Sequence, residues 1–332
     1  MLELRFAVQD LSRIRFAISP VQEAVSAVRA LATASAASPH APWLRWVRPR
    51  VDATDFTVLS ALIRPEGYIP DFLVPAPIPP TTDVESGLAQ VASAEPSAVR
   101  EQLRHLAAHP VAQRGPGQRA RLHLLDELAA EPEAALRRIV SALHGWWAVA
   151  VEPHWSRVRA LAHDDISYRL DELAAGGVER MFRTLHPRVR FSGDRLRIVK
   201  YYSGTAHLQR RGLMLVPSVF AWPDVLVSTG DPNVATLIYA PRGLGRLWQQ
   251  SGGGSVPALA ALLGRSRATV LSQLVVPIST TELAVLLGLT APTVSAHLKI
   301  LEAAGLVHSR RDGHSVRYRC TRLGEALVNG SR

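Results

Sequence analysis

The stretch from Ser279 to Thr321 reads STTELAVLLGLTAPTVSAHLKILEAAGLVHSRRDGHSVRYRCT, and its punctuation decides the fold of the C-terminal part of the chain. Ser279 and Glu282 have the spacing of a capping box, in which a hydroxyl and a carboxylate satisfy each other's helix-end amides. The helix they start turns Leu283, Leu286 and Leu287 inward and stops at Gly288. After the tight turn GLT, Thr290 caps a second helix. Pro292 is tolerated there because first-turn amides are unpaired anyway. Val294, Leu298 and Leu301, spaced four and three apart, form its buried stripe. Gly305 ends it, and Leu306-Val307 begins a strand. LVHSRR and SVRYRCT then alternate around Asp312–His314, which predicts a β-hairpin carrying Arg310, Arg311, Arg317 and Arg319.

Helix, glycine turn, helix is the sequence form of a helix-turn-helix. In that motif the N-terminal residues of the second helix meet base edges in the major groove. Residues facing the groove must be short enough for close approach, and Thr290, Ala291, Pro292, Thr293, Ser295 and Ala296 meet that demand. Lys299, one turn on, reaches a phosphate or a guanine edge. A basic hairpin after such a helix is a wing, laid along the backbone or a minor groove. Arg310, Arg311, His314 and Arg317 are its candidate contacts.

The whole pattern resembles the winged helix of the arsenical-resistance repressor (ArsR) family of bacterial transcription regulators, across roughly residues 256–330. The resemblance implies a homodimeric repressor with recognition helix 291–303 and wing 306–321, bound to double-stranded DNA. Metal-sensing members carry cysteines in the helix before the turn, or His and Asp in a terminal helix. Here the first reads TTELAVLL and the tail RLGEALVNGSR, with none of these residues. No metal or other cofactor is therefore expected. The long N-terminal region resembles the uncharacterised extension of some actinobacterial members.

A chain of 332 residues suggests two domains. The expected division is an α+β domain over 1–250, a linker at 251–255 (SGGGS) and the winged helix over 256–332. The net charge is +10. From Val256 onward there are nine basic and four acidic residues, so half of the excess sits in under a quarter of the chain. That concentration favours a nucleic-acid partner. The lone cysteine, Cys320, excludes a disulfide framework and suits a reducing cytoplasm. The N-terminus does not read as a signal peptide, and no apolar run is long enough for a membrane span.

Before the linker, LELRF alternates like a strand, and Ser19-Pro20 starts a helix with Val21, Ala24, Val25, Val28 and Leu31 on one stripe. The segment from Pro65 to Pro80 holds six prolines and cannot be a central strand. Residues 97–186 read as helices, one of them stopping at Gly176-Gly177. Strands follow: a hairpin around Ser192–Asp194, then GLMLVPSVF, DVLVS and ATLIYAP.

Several residues invite sharper readings that the pattern does not favour. His297 lies beside the buried stripe and reads as a packed histidine. Cys320 reads as a small strand hydrophobe rather than a redox switch. His163, Asp164 and Asp165 diverge on a helix and read as a solvated face. Trp146, Trp147 and Trp155 read as core. With no phosphate loop or nucleophile elbow, no enzyme activity is expected. The N-terminal region is left with dimerisation, small-molecule sensing, an enzyme coupled to DNA binding, or partner binding through the Pro-rich segment.

Overall fold

The computed structural model describes residues 1–33, 38–51, 53–77, 83–200, 202–248, 256–274, 277–312 and 315–330. The expected linker 251–255 and His314 lie outside the described residues. The chain opens with β1 (Leu2–Arg5), α1 (Val8–Leu11), β2 (Ile14–Phe16) and α2 (Pro20–Thr33). Six helical segments follow: α3 (Ala41–Val47), α4 (Ala53–Leu62), α5 (Val84–Ala92), α6 (Pro96–Ala108), α7 (Gln118–Ala130) and α8 (Pro132–Ala150). Ser19 caps α2 as expected, its hydroxyl accepting the Gln22 amide at 3.1 Å, with Pro20 at the first helical position. Val21, Ala24, Val25 and Val28 are buried against α8. Trp146 donates its indole N–H to the Ala24 carbonyl at 2.9 Å, and Trp43 donates to Ala150 at 2.8 Å. Both tryptophans are core, each with its polar tip satisfied. The Pro-rich segment carries no strand over 65–77, only a short 3-10 turn at Asp71–Leu73.

The long helix α9 (Trp155–Arg183) breaks at Gly176 and Gly177 and then resumes for its last residues. Gly177 sits at φ 68°, which glycine adopts without strain. The expected stop is thus a kink. The reason is that Met181 and Phe182 are buried in the next core, so the chain gains by turning helical again.

Strands β3 (Val189–Ser192), β4 (Arg195–Ile198), β5 (Gly204–His207), β6 (Leu213–Pro217), β7 (Val225–Ser228) and β8 (Ala235–Tyr239) lead to a short helix α10 (Leu244–Leu247). They build two mixed sheets, ordered β3-β4-β1-β5 and β2-β6-β8-β7. The sequence order of helices then strands hides this arrangement. β1 is inserted between β4 and β5, and β2 runs parallel to β6, so the first residues of the chain close sheets made by the last strands of the region. Leu2, Leu4 and Phe6 share their core with Leu196, Ile198 and Leu213.

One expectation is overturned here. Asp165 is not on a solvated face; it and Arg169 are fully buried partners, with contacts of 3.2 and 3.3 Å. Asp165 also accepts from Tyr239 Oη at 2.8 Å and from the Arg242 amide at 3.0 Å. Helical divergence separates His163 and Asp164, which are exposed, from Asp165. The buried pair survives because each carboxylate oxygen of Asp165 takes two donors and Arg169 also donates to Thr184 Oγ1 at 2.8 Å, the kind of engagement that burying charge requires.

The C-terminal module holds α11 (Val256–Leu263), α12 (Arg265–Gln273), β9 (Ile278–Ser279), α13 (Thr280–Leu287), α14 (Ala291–Ala303), β10 (Val307–Asp312), β11 (Ser315–Cys320) and α15 (Arg322–Gly330). The three strands form an antiparallel sheet ordered β10-β11-β9. The module docks on the N-terminal region through α13. The Gly243 amide donates to the Val285 carbonyl at 3.1 Å, and a Cβ on Gly245 would stand 3.0 Å from Leu287. Among the described residues no single helix is long and apolar enough to cross a membrane.

Candidate nucleic-acid interface

The capping box forms as its spacing requires. Ser279 Oγ accepts the Glu282 amide at 3.3 Å, and Glu282 Oε2 accepts the Ser279 amide at 2.9 Å. α13 ends at Gly288, whose φ of 64° lets the chain reverse at once. The chain bends through 112° between α13 and α14, within the range of a helix-turn-helix pair. Val294, Leu298 and Leu301 are buried and fix the rotation of α14 about its axis.

That rotation decides which side chains can meet DNA. Thr290, Ala291, Pro292, Thr293, Ala296 and Lys299 are exposed, whereas Ser295 is half-buried at the flank of the face. Thr290 Oγ1 accepts the Thr293 amide at 3.4 Å and shares a 2.8 Å bond with the Thr293 hydroxyl. The two hydroxyls hold two protons and spend one on each other, so one remains to donate outward. Pro292 has no N–H and the Thr293 amide is capped, which leaves Ala291 with the open backbone donor of the first turn. Backbone donors and the dipole at such an end favour a phosphate oxygen.

The wing is an antiparallel hairpin in which Arg310 faces Arg317 and Arg311 faces Val316. Directly paired residues share a face, and the face alternates along each strand. Arg310 and Arg317 therefore lie on one side, and Arg311 and Val316 on the other. Ser309, on the side of Arg311, donates its hydroxyl to Glu302 Oε1 at 2.7 Å near the end of α14. The recognition helix and Arg311 thus belong to one continuous surface. Arg317 is turned to the body of the module, where Nη1 donates to the Pro277 carbonyl at 3.2 Å and lies 3.7 Å from Glu282. Alternation splits the basic set that looked uniform in the sequence.

The base of the wing is fixed by backbone. The Cys320 amide donates to the Leu274 carbonyl at 2.8 Å and Thr321 Oγ1 donates to the Gly305 carbonyl at 2.7 Å. Cys320 itself is buried, its thiol pointing to the Leu271 carbonyl at 3.4 Å. Burial pushes that thiol up to about 12, so it stays protonated. His297 is half-buried, as a packed histidine would be, and its Nδ1 has no partner among the described residues.

Two residues of the surface were missed in the sequence. Ile300 is 50% exposed on α14 and Val316 is 43% exposed on the wing. Apolar side chains on a reading surface suit thymine methyl groups. The signal for Ile300 was present, since it falls outside the stripe of Val294, Leu298 and Leu301.

Comparison with protein families agrees with this geometry. Residues 270–309 match the family described as "Bacterial regulatory protein, arsR family". Residues 80–240 match a family of unknown function, DUF5937. No curated protein and no solved structure matches the chain. The second wing strand lies beyond the matched residues, and the structure supplies it. The chain is thus a DNA-binding transcription regulator whose C-terminal module is a winged helix-turn-helix of the arsR family, preceded by a domain of unknown function.

Proposed function

We propose that the chain acts as a homodimeric repressor on a two-fold operator, with α14 in the major groove and the wing on the flanking backbone. The observation that supports this most is the exposed, polar N-terminal half of α14, continuous with Arg311 and undocked from the N-terminal region. Two-fold symmetry places the two recognition helices one helical turn apart, about 34 Å. The site is read as independent of metal because neither TTELAVLL nor the tail RLGEALVNGSR offers the cysteine, histidine or aspartate that the metal-sensing members use.

The N-terminal region is assigned to sensing rather than catalysis. Two polar groups that line a cavity of about 480 Å³ beside β7 are held by the protein. Lys200 donates to the Val225 carbonyl, and Tyr68 is pushed up by burial and by Asp71, so its phenol stays protonated. Neither is available as a base.

A gel-shift titration against the protein's own promoter, at several salt concentrations, tests the assignment. The expected result is a shift with preference over random DNA. Replacing Thr293 should relax sequence preference. No shift at low salt, or equal affinity for random DNA, would overturn it.

A further inference from the structure

Two cavities of about 480 Å³ each lie side by side along β7, the second of them where the N-terminal region meets the winged helix. Arg29, Glu66, Asp224 and Leu226 line both, so the two chambers adjoin across these four residues. The first chamber is walled by β7, Tyr68, Asp71, His105 and His109. The second is walled by Phe220 and Trp222 on one side and by Ile278, Glu282 and Arg317 of the winged helix on the other. Each chamber is of a size that takes a small organic molecule.

The unfilled groups define what kind of molecule. The cations around the space are turned into the protein. Arg29 donates to the carbonyls of Arg64 and Gly67, both at 2.9 Å, and Lys200 donates to Val225. Arg188 pairs with Asp224 at 2.6 Å. Two other carboxylates of the first chamber are different. Asp71 accepts from Ser228 Oγ at 2.7 Å and from Tyr68 Oη at 3.4 Å, both neutral donors, and no cation pairs with it among the described residues. Glu66, on the rim, has no ion pair among them either. Beside Asp71 stand the rings of Tyr68 and His105, edge to face at 4.8 Å. A carboxylate that lacks a cation, next to aromatic faces, is a setting for an ammonium group. The body of such a molecule would extend past Leu226 toward Phe220 and Trp222.

We propose that this space binds a small organic amine, a cation on an aromatic body, and passes its occupancy to the base of the wing. The inference rests on the regulator reading above. Glu282 is the joint: one carboxylate completes the cap of α13 and lies 3.7 Å from Arg317 of β11. Ile278 and Ser279 pair with Tyr318 and Arg317 as the third strand of the wing sheet. A molecule lodged against Ile278, Glu282 and Arg317 therefore touches the start of the helix-turn-helix and the root of the wing together.

The test uses the full chain, without DNA, and two probes of equal shape and opposite charge: tryptamine and indole-3-propionate. Saturation-transfer NMR should show tryptamine bound at millimolar concentration and indole-3-propionate unbound. Asp71→Asn keeps the bond to Ser228 and removes the charge, and should weaken tryptamine about tenfold. Gly230→Ala is the second variant, since its Cβ would stand 2.7 Å from Asp71 Oδ2 and displace the carboxylate; it should weaken tryptamine similarly. Tryptamine should also slow amide hydrogen exchange at 277–282 and 315–320. Equal binding of both probes, no tryptamine binding, indifference to Asp71→Asn, or unchanged exchange at the wing base each overturns the proposal. A failed gel shift without any amine would instead count against the regulator reading, so the two failures are separable.

Discussion

Glu23 offers a sharp test of how the N-terminal region is held together. It is buried in α2, with no ion pair among the described residues, and its carboxylate takes three donors from the turn that leaves β6. Ser218 Oγ and the Val219 amide approach at 2.8 and 2.7 Å, and the Phe220 amide at 3.4 Å. Burial outweighs these bonds and pushes the group from 4.5 up to about 7. The folded state therefore holds its proton over a pH range in which the unfolded state has released it. Stability from this group is fully present below pH 4.5 and declines as pH rises, levelling off above about 7. The shift corresponds to roughly 3 kcal/mol at pH 8, most of it lost between pH 5 and pH 8.

Glu23→Gln removes the titration while keeping most of the bonds. Its carbonyl can accept from Val219, and its amide can donate to Ser218 if that hydroxyl turns to accept. Urea unfolding of both proteins at pH 5 and pH 8 gives the needed double difference, in which other titrating groups cancel. The variant should lose less stability than the native chain on going to pH 8, by roughly 2–3 kcal/mol. A difference below about 0.5 kcal/mol would refute the reasoning, because it would mean that Glu23 titrates as if solvated.

Three further outcomes follow from the winged helix. Ser279→Ala removes the acceptor of the Glu282 amide and should cost about 1 kcal/mol in urea unfolding, with Ser279→Gly costing less. Arg311→Ala should flatten the salt dependence of DNA binding by about one unit, whereas Arg317→Ala should leave the slope unchanged because that side chain is spent on Pro277 and Glu282. Cys320 should resist an aromatic disulfide reagent in the native state and react on unfolding, since its thiol is buried and held near 12; fast native labelling would contradict its placement.

Local rules made the C-terminal module legible. Ser279, Glu282, Gly288, Thr290, Pro292 and Gly305 each fix the backbone within a few residues of themselves, so spacing alone placed both helices and the wing. In the two sheets of the N-terminal region the strands other than β2 and β5 were legible, but their partners were not. β1 and β2 pair with residues about 200 positions away, for example Leu2 with Ile198 and Ile14 with Leu213, and alternation carries no information on partners. Asp165 was misread for a related reason. Divergence along the helix separates it from His163 and Asp164 but carries nothing about what covers it, which is Tyr239 and the Arg242 amide, from beyond the helix. The cavity walls were illegible too, because Tyr68, Asp71, Asp224 and Arg317 come from segments that share no motif.

The same long-range contacts explain why the two parts of the chain meet where they do. Asp165 holds the Arg242 amide, and the next residue, Gly243, donates to Val285 of α13. The buried ion pair of α9 is thereby one backbone step from the first helix of the helix-turn-helix. α13 is the element that a winged helix can lend to such a contact without cost to reading, since α14 and Arg311 face away from it. Gly243 and Gly245 allow the approach: a Cβ on Gly245 would stand 3.3 Å from the Leu286 carbonyl as well as 3.0 Å from Leu287. The module is therefore gripped at two points, behind the turn by residues 242–245 and at the root of the wing beside the cavity. With the first point fixed by backbone and a buried ion pair, a change at the second bears directly on Ile278, Glu282 and Arg317, where the start of α13 meets the root of the wing.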